Sequence, residues 1–150
     1  MANKQSIFKL KNYSTSIPAE KTISEIEKML AGLGATTVIK EYLEDETVHL
    51  LAFKVNQMNY KLPVNVKGVY QVMFGGKHCY HGRDSMKNRE QQSYRVAWRI
   101  IKDWLHAQFS LIISGQAEPE QVLFPYAYDG KRTLFQAWKE GKLLESAKED

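Results

Sequence analysis

The chain has a single cysteine, Cys79, among 150 residues. An internal disulfide is excluded, and cysteine usage points to no oxidising compartment. Long hydrophobic runs are also missing. The most apolar stretch, residues 89–113, is broken by Arg99, Lys102, Asp103 and His106, which excludes a membrane span there. The opening Met-Ala-Asn-Lys-Gln-Ser lacks the apolar segment of a secretory signal, so the expected location is cytoplasmic and no membrane partner is expected. No glycine-rich loop for phosphate is present: Gly32-Leu33-Gly34 closes a helical stripe, whereas a nucleotide fingerprint opens a helix after a strand. Repeats, low-complexity tracts and linkers are absent, and one domain over residues 1–150 is expected.

Neither sign of charge dominates, with 21 basic and 17 acidic residues for a net charge of +4. The surplus is local: residues 87–113 hold 5 basic groups against 2 acidic, while residues 114–150 hold 5 against 7. A basic middle permits binding to a polyanion without requiring it.

What is present is hydrophobic periodicity. Residues 7–13 alternate apolar and polar or basic side chains, as a lysine-bearing edge strand does. Ser16 and Pro18 mark a helix start. Ile23, Ile26, Leu30 and Leu33 then form one stripe that Gly32 and Gly34 end. Residues 36–43, 47–56 and 60–66 read as an antiparallel meander, with Glu44-Asp45-Glu46 and Asn56-Gln57-Met58-Asn59 as its turns. On the middle strand His49, Leu51, Phe53 and Val55 are expected to share a face. Residues 67–74 read as a fourth strand or a short helix, with the helix favoured because Val66, Val69, Tyr70 and Met73 fall on one side; 75–87 read as a polar glycine-containing loop, 89–113 as one long helix and 131–144 as a final short one. The expected fold is α+β: an antiparallel sheet of three to four strands, helices packed on one face, and one long central helix.

That long helix carries the strongest functional signal. At about 100° per residue, Arg95, Arg99, Lys102 and His106 fall within roughly 60° of one another, on a wheel otherwise filled by Trp98, Ile100, Ile101, Trp104, Leu105 and Phe109. Guanidinium forks and an ammonium along one line suit phosphates, and Tyr94 and Trp98 would add a stacking face if they reached the surface.

The run Tyr-Ser-Thr-Ser-Ile-Pro-Ala-Glu-Lys-Thr-Ile-Ser-Glu-Ile-Glu-Lys-Met-Leu (residues 13–30), Lys-Leu-Pro-Val-Asn-Val (61–66), Arg-Val-Ala-Trp-Arg-Ile-Ile-Lys-Asp-Trp (95–104) and Phe-Pro-Tyr-Ala-Tyr (124–128) together resemble a family of small proteins of unknown function found in prophages and other mobile elements. The resemblance spans residues 13–138 and brings no catalytic residues. It implies a host-and-phage setting, and with it either a DNA-handling accessory or an inhibitor that binds a host protein.

Other chemistry is thinner. His78, Cys79 and His81, with His49 or Asp84, offer zinc ligands, but the second spaced pair of a tetrahedral site is missing, since His106 lies on the seam. Neither metal nor cofactor is expected. Cys79 between imidazoles has a reason to ionise, but a glycine-rich loop orients neither a base nor an oxyanion site. Glu41, Glu44, Asp45 and Glu46 cluster in a turn, where solvation explains them. Tyr126, Tyr128, Phe135 and Trp138 fit core packing of the final helix better than a partner surface. No catalytic residue and no enzyme activity are expected.

Two functions follow. The first is a nucleic-acid-binding accessory protein of a phage or mobile element that tracks phosphates of single- or double-stranded nucleic acid with little sequence specificity. Arg95, Arg99, Lys102 and His106 would make the contacts, helped by Lys87, Arg89, Lys77 and Arg83, and a homo-oligomer would multiply them. The alternative is a protein-binding module, or an inhibitor of a host or defence factor.

Overall fold

A computed structural model describes residues 9–77 and 85–141. The fold is α+β. Helix α1 (Ala19–Leu33) leads into strands β1 (Thr37–Tyr42), β2 (Val48–Val55) and β3 (Met58–Lys61), an antiparallel sheet in the order β1-β2-β3. Helices α2 (Val66–Phe74), α3 (Met86–Ile113), α4 (Pro119–Leu123) and α5 (Leu134–Lys139) follow, with a 3-10 turn at Phe124–Tyr126. Two compact units are distinguished, Met1–Ile26 with Val64–Trp104 and Glu27–Pro63 with Leu105–Asp150, so that α1 and α3 each contribute residues to both.

Helix α1 begins where proline rules dictate. The Pro18 carbonyl accepts the first helical bonds from Lys21 and Thr22, while the Thr15 hydroxyl, in place of Ser16, braces the approach by accepting from Ile17 N–H. Its buried positions, Ala19, Thr22, Ile23, Ile26 and Leu30, are one stripe at helical spacing. Gly34 at φ 99° lets the Ala35 amide return to the Leu30 carbonyl at 2.9 Å, which ends the helix.

In α3, Ser85 caps the start by accepting from Asn88 N–H. Its buried residues Arg89, Ser93, Val96, Ala97, Trp98, Ile101, Leu105 and Phe109 span roughly 220° of the circumference. This is the broad covering the sequence predicts, although Leu111 and Ile113 near the end are exposed.

The strands differ from expectation in three places. Residues 11–14 form a turn with Asn12 at φ 64° and residues 9 and 10 belong to no strand, where alternation alone suggests one over 7–13; residues 7 and 8 lie outside the described residues. The β2–β3 hairpin turns on two residues, Asn56 and Gln57, both at positive φ, so β3 begins at Met58 and ends before Pro63. The β1–β2 register shifts between Glu41 and Tyr42, leaving His49 unopposed and exposed while Leu51, Phe53 and Val55 stay buried. At the C-terminal end, α5 is six residues long, capped reciprocally by Thr133 and Gln136, and contains no buried residue. Phe135 and Trp138 pack on each other, ring centroids 6.1 Å apart, and are about half exposed, so neither belongs to the core.

Candidate functional site

The first unit contains the part of the basic seam formed by Arg95, Arg99 and Lys102. The Arg99 guanidinium donates to Glu25 of α1 at 2.9 Å, and the Lys102 ammonium lies 4.0 Å from the same carboxylate and 3.9 Å from Asp103. Asp103 also accepts from the Asn12 amide at 2.9 Å and lies 3.6 Å from Lys11. Burial pushes the Asp103 carboxyl up, but the Asn12 hydrogen bond and the charges of Lys11, Lys102 and Arg99 together hold it below the usual carboxylate range. One turn earlier, the Arg95 guanidinium donates from Nε and Nη2 to Gln92, whose amide donates in turn to the carbonyls of Tyr13 and Thr15 at 3.1 and 2.9 Å.

These contacts give the seam a structural role. The 11–15 turn is stitched to α3 at Gln92 and Asp103, α1 is joined to it at Glu25, and Arg95, Arg99 and Lys102 lie among those stitches. The Arg99 and Lys102 side chains are only 18% and 21% exposed. A phosphate approaching them would have to displace carboxylates already in place, which opposes the gain from a new charge-assisted bond.

The other predicted contacts are scattered. Arg89 is buried; its guanidinium donates to the Lys77 carbonyl at 3.1 Å and lies 5.0 Å from the Phe74 ring centroid. It secures the end of α2 to the start of α3. Lys77 and Lys87 are exposed, His106 is exposed on the part of α3 assigned to the second unit, and Arg83 lies outside the described residues, as do His78, Cys79 and His81. Trp98 is fully buried, so it provides no stacking platform. Its indole N–H, like the Thr22 hydroxyl, has no hydrogen-bond partner among the described residues. No three His, Cys, Asp or Glu side chains among the described residues are grouped to hold a metal, and no described helix is long and apolar enough to cross a membrane.

The second unit carries a feature that the seam obscured. Among the described residues, β1 pairs only with β2 and forms a sheet edge. Natural edges are commonly guarded by an outward lysine or a proline. The only lysine of β1, Lys40, is ion-paired to Glu27 at 2.7 Å, and the strand has no proline. Ile39, Tyr42 and Leu43 are instead 53%, 57% and 52% exposed.

On the face that bears Ile39, the register sets Thr37, Ile39 and Glu41 opposite Lys54, Ala52 and Leu50. Here the sheet forms a cleft of about 340 Å3, lined also by Asn59 and the Tyr128–Asp129–Gly130 segment. That segment is held by Tyr128 N–H donating to the Asn59 carbonyl at 2.8 Å and by Lys61 over the Tyr128 ring. The sequence signal was the alternation of residues 37–42, which placed the strand but not its open side.

No protein-family model matches this chain, and no curated protein and no solved structure is similar to it.

Proposed function

We propose that the chain is a protein-binding module whose docking surface is the β1 edge and the adjoining cleft of the second unit. The observation that carries this reading is a strand paired on one side only among the described residues, with its Ile39 and Tyr42 and the adjoining Leu43 each more than half exposed. Unpaired backbone groups beside exposed apolar side chains are the two components of recognition by strand addition: main-chain bonds supply affinity, and pockets for alternate side chains supply specificity. The seam supports the phosphate-tracking reading less well, because Glu25, Asp103 and Gln92 already occupy its cations. In the mobile-element setting that the resemblance implies, the partner would be a host protein.

The test is recovery of partners from nuclease-treated extract by the wild-type protein and by Ile39→Lys, with folding of both checked by circular dichroism. A protein retained by wild type and lost from the folded variant supports the reading. Equal retention by both, or partners that disappear on nuclease treatment, contradicts it.

A further inference from the structure

Resting on the reading of β1 as a docking edge, we infer that its occupant is an extended, proline-free segment of another protein in which a Lys or Arg stands two residues from an aliphatic, both on the face turned to the cleft, added to the sheet beside β1. The charge of the surface selects this chemistry. Among the described residues lining the cleft, Glu41 and Asp129 stand against a single cation, Lys54, and His49 Nε2 lies 3.5 Å from Glu41. Glu44, Asp45 and Glu46 extend the acidic surface through the exposed turn beyond β1. Lys40, the one cation of β1, is paired with Glu27. Asp129 accepts two backbone bonds at 2.9 Å, from Lys131 and Arg132, which fix its carboxylate and hold it charged below the usual carboxylate range.

Ile39 and Glu41 stand two positions apart on the cleft face, so an added strand meets them with residues i and i+2 of one face, an aliphatic at one and a Lys or Arg at the other. Leu50 and Ala52 are buried in the sheet on the cleft face, and Ile39 stands beside them half exposed. An aliphatic side chain entering the cleft would cover Ile39. Basic residues of the same segment would lie near Glu41 and the acidic turn. An acidic segment would meet like charges along that line, and a proline-rich one would lack the amide donors that pairing requires. A second copy of this chain would present another β1 with the same glutamate and a lysine, Lys40, already paired with Glu27.

The experiment is selection of random displayed nonapeptides on the immobilised full chain, followed by backbone-amide NMR of the chain with the best synthetic peptide. The expected result is enrichment of Val or Ile two positions from Lys or Arg, without proline, and peptide-induced shifts concentrated in residues 37–43 and 128–130. Glu41→Lys, which leaves the apolar surface intact, should weaken the peptide about ten-fold, and raising the salt several-fold should weaken it in the same direction. Enrichment of acidic or proline-rich peptides, no enrichment, or shifts elsewhere would overturn the inference. So would a concentration-dependent dimer dissociated by Ile39→Lys, since a second copy would then occupy the edge. If these fail while the extract experiment still yields an Ile39-dependent partner, the assigned chemistry falls and the docking edge stands. An extract partner indifferent to Ile39→Lys removes the edge itself.

Discussion

Arg89 and Lys87 lie two residues apart at the start of α3, and both count as positive charges in the sequence. Arg89 is buried, bonded to the Lys77 carbonyl and placed over Phe74, whereas Lys87 is exposed. Replacing Arg89 by Ala removes a charge-assisted bond and much of a buried side chain, so Arg89→Ala should cost about 2–3 kcal/mol in urea unfolding, and Lys87→Ala should stay within about 0.5 kcal/mol. Equal, small effects would return Arg89 to the surface. Asp103 yields a prediction with a sign. Its carboxyl is depressed in the folded chain from its ordinary value of 3.8, so it stabilises the fold above that value and loses this contribution as pH falls through the lower folded value. Asp103→Asn should therefore unfold more easily at neutral pH, and its urea midpoint should fall less steeply than wild type between about pH 5 and 3. Parallel curves would mean that the seam contacts do not contribute to stability.

At the scale of elements, the β2–β3 hairpin offers a direct check on backbone geometry. Gln57 sits at φ 69°, which costs a non-glycine residue about 1–2 kcal/mol, while glycine loses about 0.5–1 kcal/mol in backbone entropy. Gln57→Gly should stabilise the chain by about 0.5 kcal/mol; a loss on thermal or urea unfolding would count against the two-residue turn. The same hairpin shows where sequence reading stops. Helix α1, the meander and α3 were legible because each rests on a local period and a local stop, such as the stripe through Ile23, Ile26 and Leu30 closed at Gly34. Alternation in residues 7–13 pointed to a strand, but the contacts of Gln92 and Asp103 with the 11–15 turn are set by residues about 80–90 positions away. His49 is exposed beside a register shift instead of sharing the buried face, and α5 ends at Lys139 with its aromatics outside the core. For the site, the alignment of Arg95, Arg99 and Lys102 on one side of α3 was readable from spacing. Their partner Glu25 was not, because the pairing spans 74 residues of sequence. The open side of β1 was hidden for the same reason: an edge is defined by what fails to pair with it.

For the whole molecule, a net charge of +4 divides into contributions with different roles. Cations in the first unit stitch the 11–15 turn and α1 to α3, while exposed carboxylates of the second gather around an apolar sheet edge. On the proposed reading, that arrangement serves a protein partner and leaves the seam to its structural contacts. The most direct test is fluorescence anisotropy of labelled single- and double-stranded DNA and RNA, titrated with wild type and with an Arg95→Ala, Arg99→Ala double variant across a salt series. The account predicts no saturable binding by wild type at physiological salt and only weak, non-specific association when salt is low. Saturable binding with a steep salt dependence, abolished in a double variant that remains folded, would contradict it and make the seam a phosphate track.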